Sequence, residues 1–435
     1  MGVFLFSMKM LKKEYKKTFM YAFTLMFTIA ACLIFFNIMA NETLVVNETV
    51  RGGGNWVQVS VPLTTGLAFL IIIFCSAMII FANNFYLTKK TKELAITTMS
   101  GASFGDMNFY LIYQNLAITL VVMPLGLLLG YVFCILSNYV MYDYLNMNTS
   151  IFIVSGEAFF NTFITVLAMI GALILYSSGY VYRHDIQFML STQTVNNHED
   201  HRIIRLPKMF YLLVYIVGIL LMIFSEYSIS IFIFPCFVGI LGAGGIMSHV
   251  LPDIFAKIKK KKLITNQILL VSVSNLAYSL KQSILLVSLY CISCTSMIAL
   301  LVSQQNDIKN FLMVVIGFVI TIVLLSLGIL YKYFSEAIQR QILFFNLYKL
   351  GYTRDKIKKI IKYEVIYYYL IITLIPLIYI GIILTRCYIH HDIHLIFGLL
   401  IVFVEILTPI VIGVITYINY KNTVLKIIEE GVHYE

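Results

Sequence analysis

Few places in this chain carry residue types able to do chemistry. Glu405 lies ten residues into the last apolar run, followed by Thr408 and Pro409. A carboxylate at the centre of a bilayer costs about 2.5–3.5 kcal/mol on insertion scales, so it must be protonated, hydrogen-bonded to another helix or turned to a polar cavity. The first two make Glu405 a packing group; the third makes it a substrate or gating contact. Cys291-x-x-Cys294 has redox spacing, yet it sits in Leu-, Ile- and Val-rich sequence with no second pair, and redox chemistry needs an accessible thiolate. His198-Glu199-Asp200-His201 and His390-His391-Asp392-x-His394 offer imidazoles and carboxylates at spacings that match no established ligand set, so no metal is expected. No G-x-x-x-x-G-K-[ST] phosphate loop and no H-E-x-x-H helix occurs. The chain is therefore not expected to be an enzyme or to hold a cofactor of its own, and any ATP and Mg would be bound by a partner.

A short amphipathic stretch stands out because it occurs twice. The first copy runs Lys92-Glu93-Leu94-Ala95-Ile96-Thr97-Thr98-Met99-Ser100-Gly101-Ala102-Ser103, and the second runs from Arg340 to Thr353 and includes Leu343, Leu347, Leu350 and Gly351. Leu94, Ala95, Met99 and Ala102 are expected on one helical face, as are Leu343, Leu347 and Leu350. Gly101 and Gly351 suit a left-handed C-terminal cap, and Ser103 and Thr353, two residues on, suit the N-cap of a new helix. Ser103 has Asp106 three residues later, a capping box that the second copy lacks because Lys356 occupies that place. The two glycines are 250 residues apart, each stretch between two long apolar runs. Such repetition marks architecture: two helical elbows at a membrane surface.

The elements that must position these elbows are apolar throughout. Sixty per cent of residues are hydrophobic, 12 % are charged and the mean hydropathy is +0.90, which places the chain among polytopic membrane proteins. A spanning helix needs roughly 20 apolar residues. Ten such runs are expected near 18–39, 64–87, 108–140, 153–181, 209–225, 229–250, 283–303, 310–333, 364–386 and 395–419. The run after the N-terminal lysines is too long for a signal-peptide core and is expected to remain as the first span.

The net charge of +10 orients the protein and implies no nucleic-acid partner. The N-terminal lysines, Lys89 to Lys92, residues 183–208, Lys257 to Lys262, Lys349 to Lys362 and the tail from Lys421 fall on one side, expected to be cytoplasmic, with both termini. The other side receives short, lysine-poor loops, the first of which holds Gly52-Gly53-Gly54 and Trp56.

The fold class expected is all-α, with ten transmembrane helices arranged as two four-helix cores flanking a two-helix insertion. Residues 1–182 form the first core with its elbow at 92–103, 183–208 a cytoplasmic linker, 209–250 the insertion, and 251–435 the second core with its elbow at 340–353. Pro124 and Pro376 recur in the spans after the elbows, and Gly126 and Gly130 have the spacing that lets helices approach closely. Gln114 and Asn115 are polar residues near the cytoplasmic end of the third span.

The first elbow, with Glu93, Leu94 and Gly101-Ala102-Ser103 after one span and before a Leu/Gly-rich one, resembles the coupling segment of FtsX-like (MacB or type VII) ABC transporter permeases. The second matches at Arg340 and Gly351, but Leu343 stands where Glu93 has its counterpart. The ten-span layout is similar to BceB-type permeases of the bacterial plasma membrane, with one departure. That group places a large extracellular domain between the seventh and eighth spans, and Ser303 to Lys309 is too short to hold one. The resemblance implies that Lys92, Glu93, Leu94, Met99, Gly101, Ser103, Arg340, Leu343, Leu347, Gly351 and Thr353 couple the chain to a cytoplasmic ABC ATPase, two copies per permease. It also implies a mechanotransmission role in which ATP-driven closing of the ATPase pair moves the spans, acting on antimicrobial or bacteriocin-like peptides in resistance, immunity or export. A second expectation is an ATPase-linked signalling scaffold that controls a sensor histidine kinase or a cell-wall hydrolase. A third is a secondary transporter, which requires charged or broken helices at mid-membrane and would centre on Glu405.

Overall fold

The computed structural model describes residues 2–13, 15–41, 63–146, 149–183, 207–224, 233–259, 266–304, 307–390 and 393–432. Gly52-Gly53-Gly54, Trp56, the segment 184–206 with His198 to His201, and the pair His391-Asp392 lie outside them, as does the side chain of Lys92.

The protein is an all-α polytopic membrane protein, and among the described residues nine helices are long and apolar enough to span a bilayer. Helices are what such sequence must form, because a lipid environment leaves backbone groups no partner but one another. In chain order they are α1 (Val3–Lys13), α2 (Tyr15–Ala40), α3 (Leu63–Met99), α4 (Phe104–Tyr144), α5 (Gly156–Arg183), α6 (Lys208–Phe224) and α7 (Ile233–Gly245). A π-helical turn (Ile246–Val250) carries α7 into α8 (Leu251–Ile258). Then come α9 (Gln267–Gln282), α10 (Ile284–Ser303), α11 (Ile308–Gln339), α12 (Gln341–Lys349), α13 (Arg354–Ile389) and α14 (Leu395–Val432). The fifth expected span, α6, has 17 residues and is shorter than the other nine.

The chain divides into two compact units, Met1–Arg202 with Asp307–Leu324, and Ile203–Asn306 with Leu325–Glu435. In the first, α4 packs against α1, α2 and α5, and α2 also packs against α3 and α5. Gly126 and Gly130 admit α2 closely: a Cβ on Gly126 would meet Ile29 Cβ at 2.9 Å, and one on Gly130 would meet Ala30 Cα at 3.1 Å. Buried amides tie the same helices, Asn37 Nδ2 donating to Asn138 Oδ1 at 3.2 Å, while Asn83 Nδ2 donates to Ser177 Oγ at 3.0 Å between α3 and α5. Such inter-helix hydrogen bonds add direction to packing that apolar contact in lipid does not supply.

In the second unit α13 takes the place of α4, packing against α9, α10 and α14. The hairpin of α6 and α7 belongs to this unit. Its glycines make room for a tyrosine of α13: Tyr379 Oη donates to the Tyr215 carbonyl at 2.8 Å, and a Cβ on Gly239 would overlap that hydroxyl.

Candidate functional site: two capped elbows

Both elbows close by the same backbone device. Gly101 has φ of 92°, with Gly101 N–H donating to the Thr98 carbonyl (3.0 Å) and Ala102 N–H to the Thr97 carbonyl (3.2 Å). Gly351 has φ of 90°, with Gly351 N–H donating to the Tyr348 carbonyl (3.0 Å) and Tyr352 N–H to the Leu347 carbonyl (3.1 Å). These paired 5→2 and 6→1 bonds are Schellman caps, which need the left-handed conformation that glycine adopts without a Cβ penalty. The next helix then starts at once. Ser103 Oγ accepts from the Asp106 amide at 3.2 Å while the Ser103 amide donates to Asp106 Oδ2 at 3.0 Å, which completes the capping box. Thr353 Oγ1 accepts from the Lys356 amide at 3.4 Å.

The approaches to the two elbows differ. Residues 92–99 are the last turns of the continuous helix α3, whereas a single turn residue, Arg340, separates α11 from the short helix α12.

Burial sorts the expected coupling residues into two kinds. Met99 (67 %) and Leu350 (77 %) are exposed, as are Leu343, Gly101, Ser103, Gly351 and Thr353, while Leu347 is half-buried. Ile96 and Ile342 join the exposed apolar group, and the sequence reading missed both. Leu94 corrects the expectation that it shares a surface with Met99. It is fully buried with Ala95 in a cluster with Leu87, Met107, Tyr110, Leu111 and Val181, against which Val3, Phe6 and Met10 of α1 pack. The reason is geometric: at 100° per residue, five positions separate side chains by about 140°. Leu94 roots the elbow in its bundle. Glu93 is half-buried, accepting from Lys90 Nζ (2.9 Å) and from Tyr110 Oη (3.2 Å).

Arg340 is also buried, at the centre of a polar group beneath the second elbow. Its Nη1 donates to Glu364 Oε1 at 2.7 Å, and its Nη2 donates to Ser279 Oγ at 3.1 Å and lies 3.6 Å from Glu336 Oε2. Ser279 Oγ is in turn 2.8 Å from Glu336 Oε2 and 3.2 Å from Glu364 Oε1, so its single proton serves one carboxylate at a time. Lys332 Nζ approaches Glu336 Oε1 at 3.2 Å and lies 4.2 Å from the ring centroids of both Tyr333 and Tyr368. Burial works against the Arg340 charge, but the Glu336 and Glu364 carboxylates more than offset it and hold the guanidinium pKa well above its ordinary value. Glu336 and Glu364 are buried carboxylates like Glu405, and sequence reasoning did not single out either of them. α11 runs six residues past the end expected for its span, and all three carboxylates are inaccessible to solvent.

Glu405 is held between helices, with Tyr290 Oη of α10 donating to its Oε1 at 3.4 Å. Cys291 and Cys294 are buried free thiols on the same stretch of α10. Gln114 accepts from Tyr86 Oη at 2.7 Å, and Asn115 accepts from Tyr21 Oη at 3.5 Å.

Residues 65–186, which contain α4, α5, most of α3 and the first elbow, match the family model described as FtsX-like permease C-terminal. Among curated proteins, none matches the chain.

Proposed function

We propose, from the match of residues 65–186 to the FtsX-like permease family, that the chain is the membrane subunit of a bacterial ABC transporter whose ATPase is a separate polypeptide. The observation that carries this reading is the pair of elbows. Each presents exposed apolar side chains beside a Schellman-capped glycine and a fresh N-cap, 250 residues apart, in a chain without a phosphate loop. Two equivalent elbows suit two ATPase copies, one elbow each, with both termini and both elbows on the cytoplasmic side of the plasma membrane in this reading. Closing of the ATPase pair on ATP and Mg then pushes the elbows, and α3 with α4, and α11 with α13, carry the displacement across the bilayer. The protein itself catalyses nothing in this scheme.

The peptide-directed role, in resistance, immunity or export, follows from the BceB-like span order. The regulatory scaffold is the second reading, and one observation favours it: α10 ends at Ser303 and α11 begins at Ile308, which leaves no room for a recognition domain. Tagged full-length protein, purified from its native membrane in mild detergent and examined by mass spectrometry, tests both. An ABC ATPase near two copies per permease is the expected companion. A peptide precursor beside it selects the transport role, and a sensor kinase selects the scaffold. Absence of any ATPase after crosslinking overturns the proposal.

A further inference from the structure

The offset that relates the two glycines also relates three buried positions below them. Lys90 stands 250 residues before Arg340, Gln114 before Glu364 and Tyr86 before Glu336. In each unit Tyr86 and Lys90, or Glu336 and Arg340, are four residues apart on the approach to the elbow, and Gln114 or Glu364 is on the helix that leaves it. In the first unit Tyr86 Oη donates to Gln114 Oε1 at 2.7 Å, Lys90 Nζ lies 5.9 Å from the Tyr86 ring centroid, and Gln114 Nε2 donates to the Ser7 carbonyl of α1 at 3.4 Å. In the second, Arg340 joins Glu336 to Glu364, and Ser279 Oγ of α9 lies within hydrogen-bond distance of both carboxylates. Different side chains thus make the same three-way tie: the helix into the elbow, the helix out of it, and the short helix that opens each core.

We propose that these triads are the joints that position the elbows, Tyr86–Lys90–Gln114 for the first and Glu336–Arg340–Glu364 for the second. Arg340 is the positioning residue of the second joint. It occupies the break between α11 and α12, so its bond to Glu364 fixes the angle at which α12 leaves the bundle. A buried, charge-assisted bond suits this task because it is directional and is not screened by solvent. The inference rests on the coupling assignment for its purpose, but the joint itself is a property of this chain alone.

Hydrogen–deuterium exchange on the purified full chain tests it without any ATPase. In Arg340→Gln and in Glu364→Gln, peptides covering 341–353 are expected to exchange about ten-fold faster, while those covering 94–103 stay within about two-fold of wild type. Gln114→Leu is expected to do the reverse. Arg340→Lys, which keeps the charge, should retain much of the protection that Arg340→Gln loses. If the charge-removing variants do not fold, Ser279→Ala decides: it should loosen 341–353 selectively and by a smaller factor. Unchanged exchange at 341–353 in the folded variants, or equal acceleration of both elbows, overturns the inference. Failure to recover an ATPase, with selective exchange intact, would refute the transporter reading and leave the joints standing.

Discussion

Leu94 is inaccessible to solvent and Met99, five residues along the same helix end, is two-thirds exposed. One side chain anchors the elbow and the other presents it. Asp at Met99, or at Leu350 in the second copy, is therefore expected to abolish ATPase recovery in a pull-down while membrane insertion and melting temperature stay near wild type. Leu94→Asp is expected to fail differently, because an unpaired charge in that apolar cluster costs at least several kcal/mol. Its signature is loss of folded protein in size-exclusion chromatography.

Gly101 and Gly351 carry positive φ with open space around the place a Cβ would take. Alanine at either position meets no neighbour, so its cost is backbone conformation alone, about 1–2 kcal/mol. Denaturant titration of each variant in detergent should show that loss, and asparagine, which tolerates the left-handed region, should lose less.

The elbows were legible because their chemistry is local. A glycine followed two residues later by Ser103 or Thr353 encodes a stop and a start within one turn. The close approach at Gly126 and Gly130 was legible for the same reason. What could not be read is what depends on partners far along the chain. Glu336 lies past the expected end of its span and Glu364 is the first residue of its own, places where charges ordinarily meet water, and only the fold brings Ser279 between them. A trace was present: Lys332, Glu336 and Arg340 fall at intervals of four, one face of a helix leaving an apolar run. Apolar character alone does not assign Leu94 and Met99 to a shared face, because five residues at 100° each turn their side chains about 140° apart.

The hairpin of α6 and α7 depends on glycines that give space to α13. Gly239→Ala forces a methyl onto the Tyr379 hydroxyl, and overpacking of this kind costs about 1–3 kcal/mol. The expected result is a lower melting temperature for the purified protein, with Gly381→Ala, where nothing lies within 4 Å, as the near-neutral control.

Glu405 accepts a hydrogen bond from Tyr290, is also hydrogen-bonded to the Cys294 thiol, and has no solvent access. A neutral amide can accept the Tyr290 bond, so Glu405→Gln is expected to change stability by no more than about 1 kcal/mol and to leave expression unaltered. Thermal unfolding of that variant beside Tyr290→Phe measures this directly.

The central claim is that the elbows are where an ATPase holds this chain. A photoreactive phenylalanine analogue placed at Met99, and separately at Leu350, would be irradiated in native membranes and the adducts identified by mass spectrometry. Crosslinks to the same ABC ATPase from both positions are the predicted result. Adducts only to lipid, or to proteins without a nucleotide-binding fold, from both positions would contradict it.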